Sequence, residues 1–486
     1  MNFLSKKNTL ILGAILLLAF VLRMYKFTSP LADWHSWRQA DTAAVARNYS
    51  KDGIDLLKPR YDDLSNVQTG LYNPEGLRYV EFPIYQSIIA VIHSVLPIMP
   101  VEQYGRLVTI LFSLITISII YYLLYQEESQ TAAIAAAFTY AVFPFFVYYS
   151  RVVLPDAPAV SFMFMGILCA YKYAKHTSKS TVSAGILLLL SMLLVMCGLL
   201  TKPTVIFYLL PIAYLMFRKY GFSVVSHIPL YAYFLGAVAP LIAWRLFIAQ
   251  FPEGIPASEW LFFGVNTNGG LQNIFFRPSF FRWVFFERIL ILLLGGYMIV
   301  FFMAGIIKKP LKSALFYAIG LSALLYLFTF QGGNVQHDYY QVVILPAVAI
   351  FVGLGVSLFV QLGKKIANQT MLIASIIVIF AGSWLFSYER VKDYYNISDS
   401  LVSTAQAIKL ITEDDAIIVT DTVGDTTLLY NANRKGYPAV TQDLHDLRKR
   451  GADYFVTDKP DVIVEVKKVP DFSVVFESNK ATIFKL

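Results

Sequence analysis

A polytopic α-helical membrane protein carrying a small C-terminal α/β domain is the fold class this sequence predicts. Three observations carry that reading. Of 486 residues, 57% are hydrophobic and only 15% are charged, against about 45–50% apolar and about 25% charged in soluble domains. The apolar excess is gathered into long runs, which gives a mean hydropathy of +0.58 and the pattern of membrane spans. From about Ser387 the long runs stop and charges become frequent.

The elements follow in chain order. Lys6 and Lys7 precede the first apolar run, and Arg23 and Lys26 follow it with no small-residue cleavage site, which reads as an uncleaved signal anchor. Candidate spans lie at 9–25, 106–125, 131–150, 157–174, 181–200, 203–217, 227–250, 288–307, 314–330, 340–362 and 370–387, about 11 transmembrane helices at about 17–25 residues each. A further apolar stretch, 83–98, carries Gln86 and His93 between Pro83 and Pro97. It either spans or lies in the interface as an amphipathic helix.

Charge decides between these. With 83–98 outside the bilayer core and a cytoplasmic N-terminus, Lys6/Lys7, Lys172/Lys175/Lys179, Arg218/Lys219, Lys308/Lys309/Lys312 and Lys364/Lys365 all fall in cytoplasmic loops, as the positive-inside rule asks. Only loop 126–129, with Glu127 and Glu128, lacks cations. Residues 26–105, the loops near 151–156, 251–287 and 331–339, and the C-terminus then face outward. The net charge of +8 is thereby explained by topology rather than by nucleic acid. Cys169 and Cys197 both lie within apolar runs, which argues against a disulfide framework.

The predicted organisation is a transmembrane domain over 1–387, with 26–105 as a large first outer loop bearing juxtamembrane helices, and an extracytoplasmic α/β domain over 388–486. In the latter, 416–420 and 453–457 read as short buried strands, 401–411 and 444–450 as helices, and 473–476 with 482–484 as a hairpin turning at Asn479.

Polar clusters concentrate on the outer face. The stretch 33–41 places Asp33, His35, Arg38, Gln39 and Asp41 just after the first span. If a helix starts here, His35, Arg38 and Asp41 stack at i, i+3 and i+6 on one face. A carboxylate beside a guanidinium stays ionised and can take a proton from a hydroxyl nucleophile. The same residues equally suit an Arg–Asp pair fixing a juxtamembrane helix, with Trp34 and Trp37 as interfacial anchors. Asp156 sits between Pro155 and Pro158 where one span ends and another begins. As an isolated residue it reads as a helix cap; on the same face as Asp41 it reads as a site partner. Lys202 in Thr-Lys-Pro either snorkels to headgroups or meets a phosphate. His337, Asp338 and Tyr340 occupy another outer loop and suit phosphate, sugar or metal; one His–Asp pair is short of a metal site. Arg78 and Glu81 precede the interfacial helix. No P-loop, dinucleotide fingerprint or HExxH is present, which points away from a soluble nucleotide and toward a donor held in the membrane.

The order of these pieces resembles the GT-C membrane glycosyltransferases, of the family-39 type that includes protein O-mannosyltransferases and lipid A aminoarabinose transferases. Across about residues 9–387 come one span, the outer-loop helix HSWRQADTAAVARNY, EFPIYQSI, RLVTILFSLITI, YYSRVVLPDAPAVSFMF, GLLTKPTVIFYLLPI and HDYYQVVILPAVAIFVG. The resemblance implies a sugar moved from a polyprenyl-phosphate donor to a lipid, glycan or protein acceptor on the outer face of a bacterial inner membrane, with inversion at the anomeric centre. It also implies an outer-loop Asp as base, Asp156 at the family's second acidic position, and Lys202 with the His337–Tyr340 loop near the donor phosphate. Anchored on AAVARNY, the family's Asp-Glu pair falls on Arg38 and Gln39, which moves the expected base to Asp41 or, alternatively, Asp33. Where many relatives have Lys, this chain has Glu81.

The chemistry agrees with that carry-over. A phosphate leaves without a general acid, so the site needs a carboxylate to take the acceptor's proton and cations to stabilise the leaving group. Arg38, His35, Lys202 or His337 would supply the cations, or a bound divalent metal would; no other cofactor is indicated. The rival reading is a transporter or flippase. It would ask for ionisable residues or broken helices near the midplane, and the chain has few such charges and no evident inverted repeat.

Overall fold

The computed structural model describes residues 5–176, 181–267, 269–366 and 368–486. Lys179 lies outside them, as do the side chains of Lys364 and Lys365. Along the chain run α1 (Lys6–Arg23), α2 (Ser36–Asp52), α3 (Ile84–Val95), α4 (Val101–Glu127), α5 (Gln130–Val142), α6 (Pro144–Tyr149), α7 (Asp156–Ala174), α8 (Thr181–Thr201), α9 (Leu209–Tyr220) and α10 (Ile228–Ile248). A small hairpin of β1 (Gly264–Thr267) and β2 (Gly270–Asn273) follows, then α11 (Pro278–Phe281), a π-helical stretch (Arg282–Leu293), α12 (Ile299–Ile307), α13 (Leu315–Thr329), α14 (Gln331–Gln336), α15 (Leu345–Ile366) and α16 (Gln369–Val391). The C-terminal part holds α17 (Asp399–Ile411), β3 (Ile417–Thr420), α18 (Thr427–Ala432), β4 (Lys435–Tyr437), α19 (Leu444–Lys449), β5 (Tyr454–Thr457), α20 (Pro460–Val466), β6 (Ser473–Glu477) and β7 (Thr482–Lys485).

Among the described residues, seven helices are long and apolar enough to cross a membrane, which makes this an integral membrane protein. They coincide with the expected spans beginning at 106, 157, 181, 203, 227, 340 and 370. The other four differ in kind. α1 has 18 residues and carries Lys6, Lys7 and Arg23. The run 131–150 breaks at Phe143, which is extended ahead of Pro144, because proline disfavours helix in the residue before it. The run 288–307 winds as π-helix and breaks at Gly295 and Gly296, whose φ angles of 56° and 78° favour glycine. α13 has 15 residues. The 83–98 stretch forms α3, 12 residues long; at 1.5 Å per residue it reaches about 18 Å, too short for a hydrocarbon core of about 30 Å.

The chain folds into two compact units. The first is Met1–Tyr25, Leu107–Ala243 and Ser258–Asp393. In it α7 packs on α8, and α15 on both α12 and α5. The α12–α15 crossing is close because it is lined by glycine: a Cβ on Gly305 would lie 1.9 Å from the Phe351 carbonyl oxygen, and one on Gly355 1.7 Å from that of Phe301. Small residues of this kind let membrane helices approach backbone to backbone. At one end of this unit Glu127, fully buried, pairs with Lys175 at 2.7 Å and Arg218 at 3.2 Å, and Glu128 pairs with Lys308 at 2.5 Å. The one loop without cations thus holds the anions that the basic loops meet, and all four lie at the same end.

The second unit is Lys26–Arg106, Trp244–Ala257 and Tyr394–Leu486. Its sheet has the order β4-β3-β5-β7-β6, with β4, β3 and β5 parallel and β7 and β6 antiparallel to what precedes them. α17 and α18 cover one face through Ala405, Ile408, Leu428 and Leu429 on Ile418, Val456 and Ile483. α19 and α20 cover the other through Leu447 and Val466 on Val419, Phe455 and Phe484. The outer edge of β4 is taken by the first loop: Asp63 bridges Gly436 in parallel, Leu64 N–H donates to the Gly436 carbonyl at 2.8 Å, and Gly436 N–H donates to that of Asp62 at 2.9 Å. An edge strand is thereby paired rather than left open. Leu64 and Tyr72 join the core on the α19–α20 face, while the Ala-rich side of α2 packs against α3 and α18.

Candidate active site

In the second unit the helix begins at Ser36, one residue later than the stacked arrangement of His35, Arg38 and Asp41 requires. His35 has φ 53° and caps α2 from a left-handed conformation, so it leaves the helical face. Arg38 and Asp41 then turn to different partners. The Arg38 guanidinium binds both oxygens of Glu81, at 2.9 and 2.8 Å, and donates to Thr42 at 3.1 Å. Gln86 adds a donor to Glu81 at 3.2 Å. Asp41 is 1% exposed. Its Oδ2 pairs with Arg78 at 2.6 Å and its Oδ1 accepts from the Thr426 hydroxyl at 2.6 Å. Burial outweighs the two guanidiniums and holds the Asp41 carboxyl above the usual carboxylate range. Arg78 in turn lies over the Tyr61 ring at 4.9 Å. Asp33 precedes α2, and its Oδ1 accepts from Gln39 Nε2 at 2.7 Å; the same amide reaches the Trp34 carbonyl at 3.2 Å. Trp34 stacks on Tyr394 at 5.1 Å.

The first unit holds a separate cluster. Asp156 is the first residue of α7, preceded by Pro155 as the cap residue, and no side-chain capping bond forms there. Its carboxylate goes to Lys202 instead, at 3.2 and 3.3 Å. Lys202 is extended, at φ −155° and ψ 104°, because Pro203 follows it. This stops α8 and aims the ammonium inward: Lys202 is 6% exposed and lies 5.7 and 5.5 Å from the ring centres of Tyr339 and Tyr340. His337 is also extended, between α14 and a short helical turn (Asp338–Ile344). Its ring stacks with Tyr339 at 5.4 Å and meets Trp260 edge-on at 5.5 Å. Asp338 accepts from the Tyr149 hydroxyl and pairs with Arg288 at 3.9 Å. The Tyr340 carbonyl accepts from Tyr326 at 2.9 Å.

The expected residues therefore fall into two sets. Asp33, His35, Arg38, Gln39, Asp41 and Glu81 lie in one unit; Asp156, Lys202, His337, Asp338 and Tyr340 lie in the other. Sequence reading missed Arg288 and Thr426. Arg288 could have been found as a lone cation opening an apolar run; nothing local marks Thr426. Among the described residues no three His, Cys, Asp or Glu side chains are grouped to hold a metal ion.

Comparison of the whole structure decides what kind of scaffold carries these clusters. ArnT from Cupriavidus metallidurans in the apo state superposes with a TM-score of 0.66 at 13% identity, covering 98% of this chain and 97% of that one. The same protein bound to undecaprenyl phosphate gives 0.63 at 12% identity with the same coverage.

The fold is that of the GT-C glycosyltransferases.

The Archaeoglobus fulgidus oligosaccharyltransferase in the apo form shares the GT-C fold with a TM-score of 0.60 and 10% identity, over 95% of this chain and 70% of that one. Residues 83–244 match the family of dolichyl-phosphate-mannose-protein mannosyltransferases. They include Asp156 and Lys202 but not α2. No curated protein matches the sequence.

Proposed function

We propose that this protein is an inverting glycosyltransferase that moves a sugar from a polyprenyl-phosphate donor to a lipid, glycan or protein acceptor on the outer face of a bacterial inner membrane. The observation that carries the proposal is the end-to-end likeness to ArnT, one of whose structures is bound to undecaprenyl phosphate. The Lys202 cluster supports it: a buried ammonium held by one carboxylate and two aromatic rings is a ready partner for a phosphate.

Asp33 is assigned as the base. Asp41 has one oxygen on Arg78 and the other on Thr426, so accepting a substrate proton would break a buried ion pair. Asp33, the alternative that the sequence offers in the same loop, lies just ahead of α2. Lys202 and Arg288 are assigned to the departing phosphate, which needs cations and no general acid. The N-terminus is placed in the cytoplasm, because the loops carrying Lys175, Arg218 and Lys308 share one end with Glu127 and Glu128, and clustered basic loops face the cytoplasm.

The test uses the purified protein in lipid with a panel of radiolabelled polyprenyl-phosphate sugars. Wild type, Asp33→Asn and Asp41→Asn are compared for sugar release, with thermal unfolding as the folding control. Loss of turnover in Asp33→Asn at unchanged stability supports the assignment. Turnover retained by Asp33→Asn moves the base elsewhere. Transmembrane movement of the intact donor without sugar release would favour a flippase.

A further inference from the structure

The C-terminal sheet contains a feature that the proposed donor chemistry does not use. β3 is followed by α18 on one face of the sheet, and its neighbour β5 is followed by α20 on the other. The chain therefore diverges above and below the sheet between two adjacent parallel strands. Crevices at the carboxyl ends of such strands are where open α/β sheets bind ligands.

A cavity of about 240 Å³ lies at that point, smaller than the roughly 300–1,000 Å³ of sites for drug-sized molecules and suited to one small ring. Asp421 and Thr422 reach it from the end of β3, and Thr457 and Asp458 from the end of β5. Ser400 and Thr404 face them from the first turns of α17, and Lys480 from the β6–β7 turn. Leu401, Leu428, Val456 and Ala481 supply apolar wall.

The chemistry of this lining selects among ligands. Its cation is already engaged: Lys480 donates to Ser403 at 3.1 Å, while Asp421 pairs with Lys459, outside the lining, at 2.8 Å. Two carboxylates at the rim disfavour a phosphate or a uronic acid. Carboxylates accept from paired hydroxyls, and Ser and Thr hydroxyls both donate and accept. Asp421 is already oriented by the Thr457 hydroxyl at 3.4 Å. Donor-rich, uncharged, ring-sized ligands with C–H faces fit such a wall.

We infer that the crevice at the carboxyl ends of β3 and β5 binds a neutral sugar residue. This deepens the proposed function by naming the acceptor as a glycan with an uncharged sugar unit; it rests on that proposal for its use, and the binding itself does not.

The test is saturation-transfer NMR on the full-length protein in lipid. The panel is the methyl glycosides of glucose, galactose, mannose, arabinose and N-acetylglucosamine, with glucose 6-phosphate as the charged control. One or more neutral glycosides are expected to bind. Asp458→Ala is expected to weaken binding at least tenfold, and Ser400→Trp, which fills the crevice from the half-exposed start of α17, to abolish it. Stability is followed in both variants. No binding across the panel, binding unchanged in both variants, or preference for the phosphorylated sugar would each overturn the inference. Glycoside binding in a protein that releases no sugar from any polyprenyl donor would leave this site standing and remove the glycosyltransferase proposal instead.

Discussion

The Thr426 hydroxyl donates to Asp41 Oδ1 at 2.6 Å, across 385 residues of chain. Together with Arg78 on the other oxygen it closes a buried charge in the second unit. Removing a hydrogen bond to a charged group costs about 1.5–3 kcal/mol, and breaking a buried ion pair about 3–5 kcal/mol. Thr426→Val is therefore expected to lower the unfolding temperature, and Asp41→Ala to lower it further because Arg78 is left buried and unpaired. Thermal unfolding followed by tryptophan fluorescence orders the two. Equal effects would mean that the Arg78 pair contributes nothing.

Lys202 is held by Asp156 and faces two tyrosine rings. Replacing it by methionine keeps its length and removes its charge. Lys202→Met is expected to weaken undecaprenyl phosphate binding about tenfold or more, a loss of about 1.4 kcal/mol, read by native mass spectrometry. Asp156→Asn leaves the ammonium in place and should bind the anion at least as well as wild type. Weaker binding in both variants would show that the pair acts through structure rather than through charge.

Stability of the second unit should respond to a carboxyl that is not ion-paired in the same way. Asp63 is fully buried, and burial pushes its pKa from 3.8 up to about 6. The folded protein therefore binds this proton more tightly than the unfolded chain. The stabilisation it brings is complete below about pH 4 and is lost as the pH rises through 6, an effect of about 3 kcal/mol. Asp41 is displaced in the same direction. Asp63→Asn keeps an acceptor for the Ser65 N–H, which Asp63 binds at 2.7 Å. Its unfolding temperature relative to wild type should rise between pH 4 and pH 7. A constant difference would mean that Asp63 is ionised throughout.

Sidedness follows from the acidic pair. Lys312 and Lys468 are both exposed, and both native cysteines are only partly accessible within helices. In intact cells Lys312→Cys should resist a membrane-impermeant maleimide until the cells are opened. Lys468→Cys should react once the outer barrier is permeabilised. The reverse pattern would invert the proposed orientation.

Much of the fold was legible because membrane spans are a property of composition, and the Thr-Lys-Pro and Pro-Asp-Ala-Pro pieces mark backbone breaks that proline enforces. The first outer loop was harder to read. Arg38 and Glu81 looked like two independent departures from the GT-C pattern, one where an acid is usual and one where a lysine is usual. They are partners, 2.8 Å apart, so each finds its counter-charge in the other. No local signal tells a reader of one sequence that residues 43 apart pair with each other. His35 was misplaced for a different reason: a left-handed residue at a helix start has no strong sequence mark unless it is glycine or asparagine.

The bridge that residues 62–64 make to β4 of the C-terminal sheet has a consequence for how the protein is made. In the proposed orientation the first loop emerges on the far side of the membrane early in synthesis, but its hydrogen-bonding partner Gly436 is translated only after the membrane-spanning helices that lie between them. At about 5–20 residues per second the loop waits roughly 20–80 s for it. During that interval Leu64 and Tyr72 have no core to enter and the loop's amides have no β4 to pair with. The newborn chain therefore passes through a stage in which this segment lacks its partner, and premature termination anywhere before β4 yields a product that never leaves that stage.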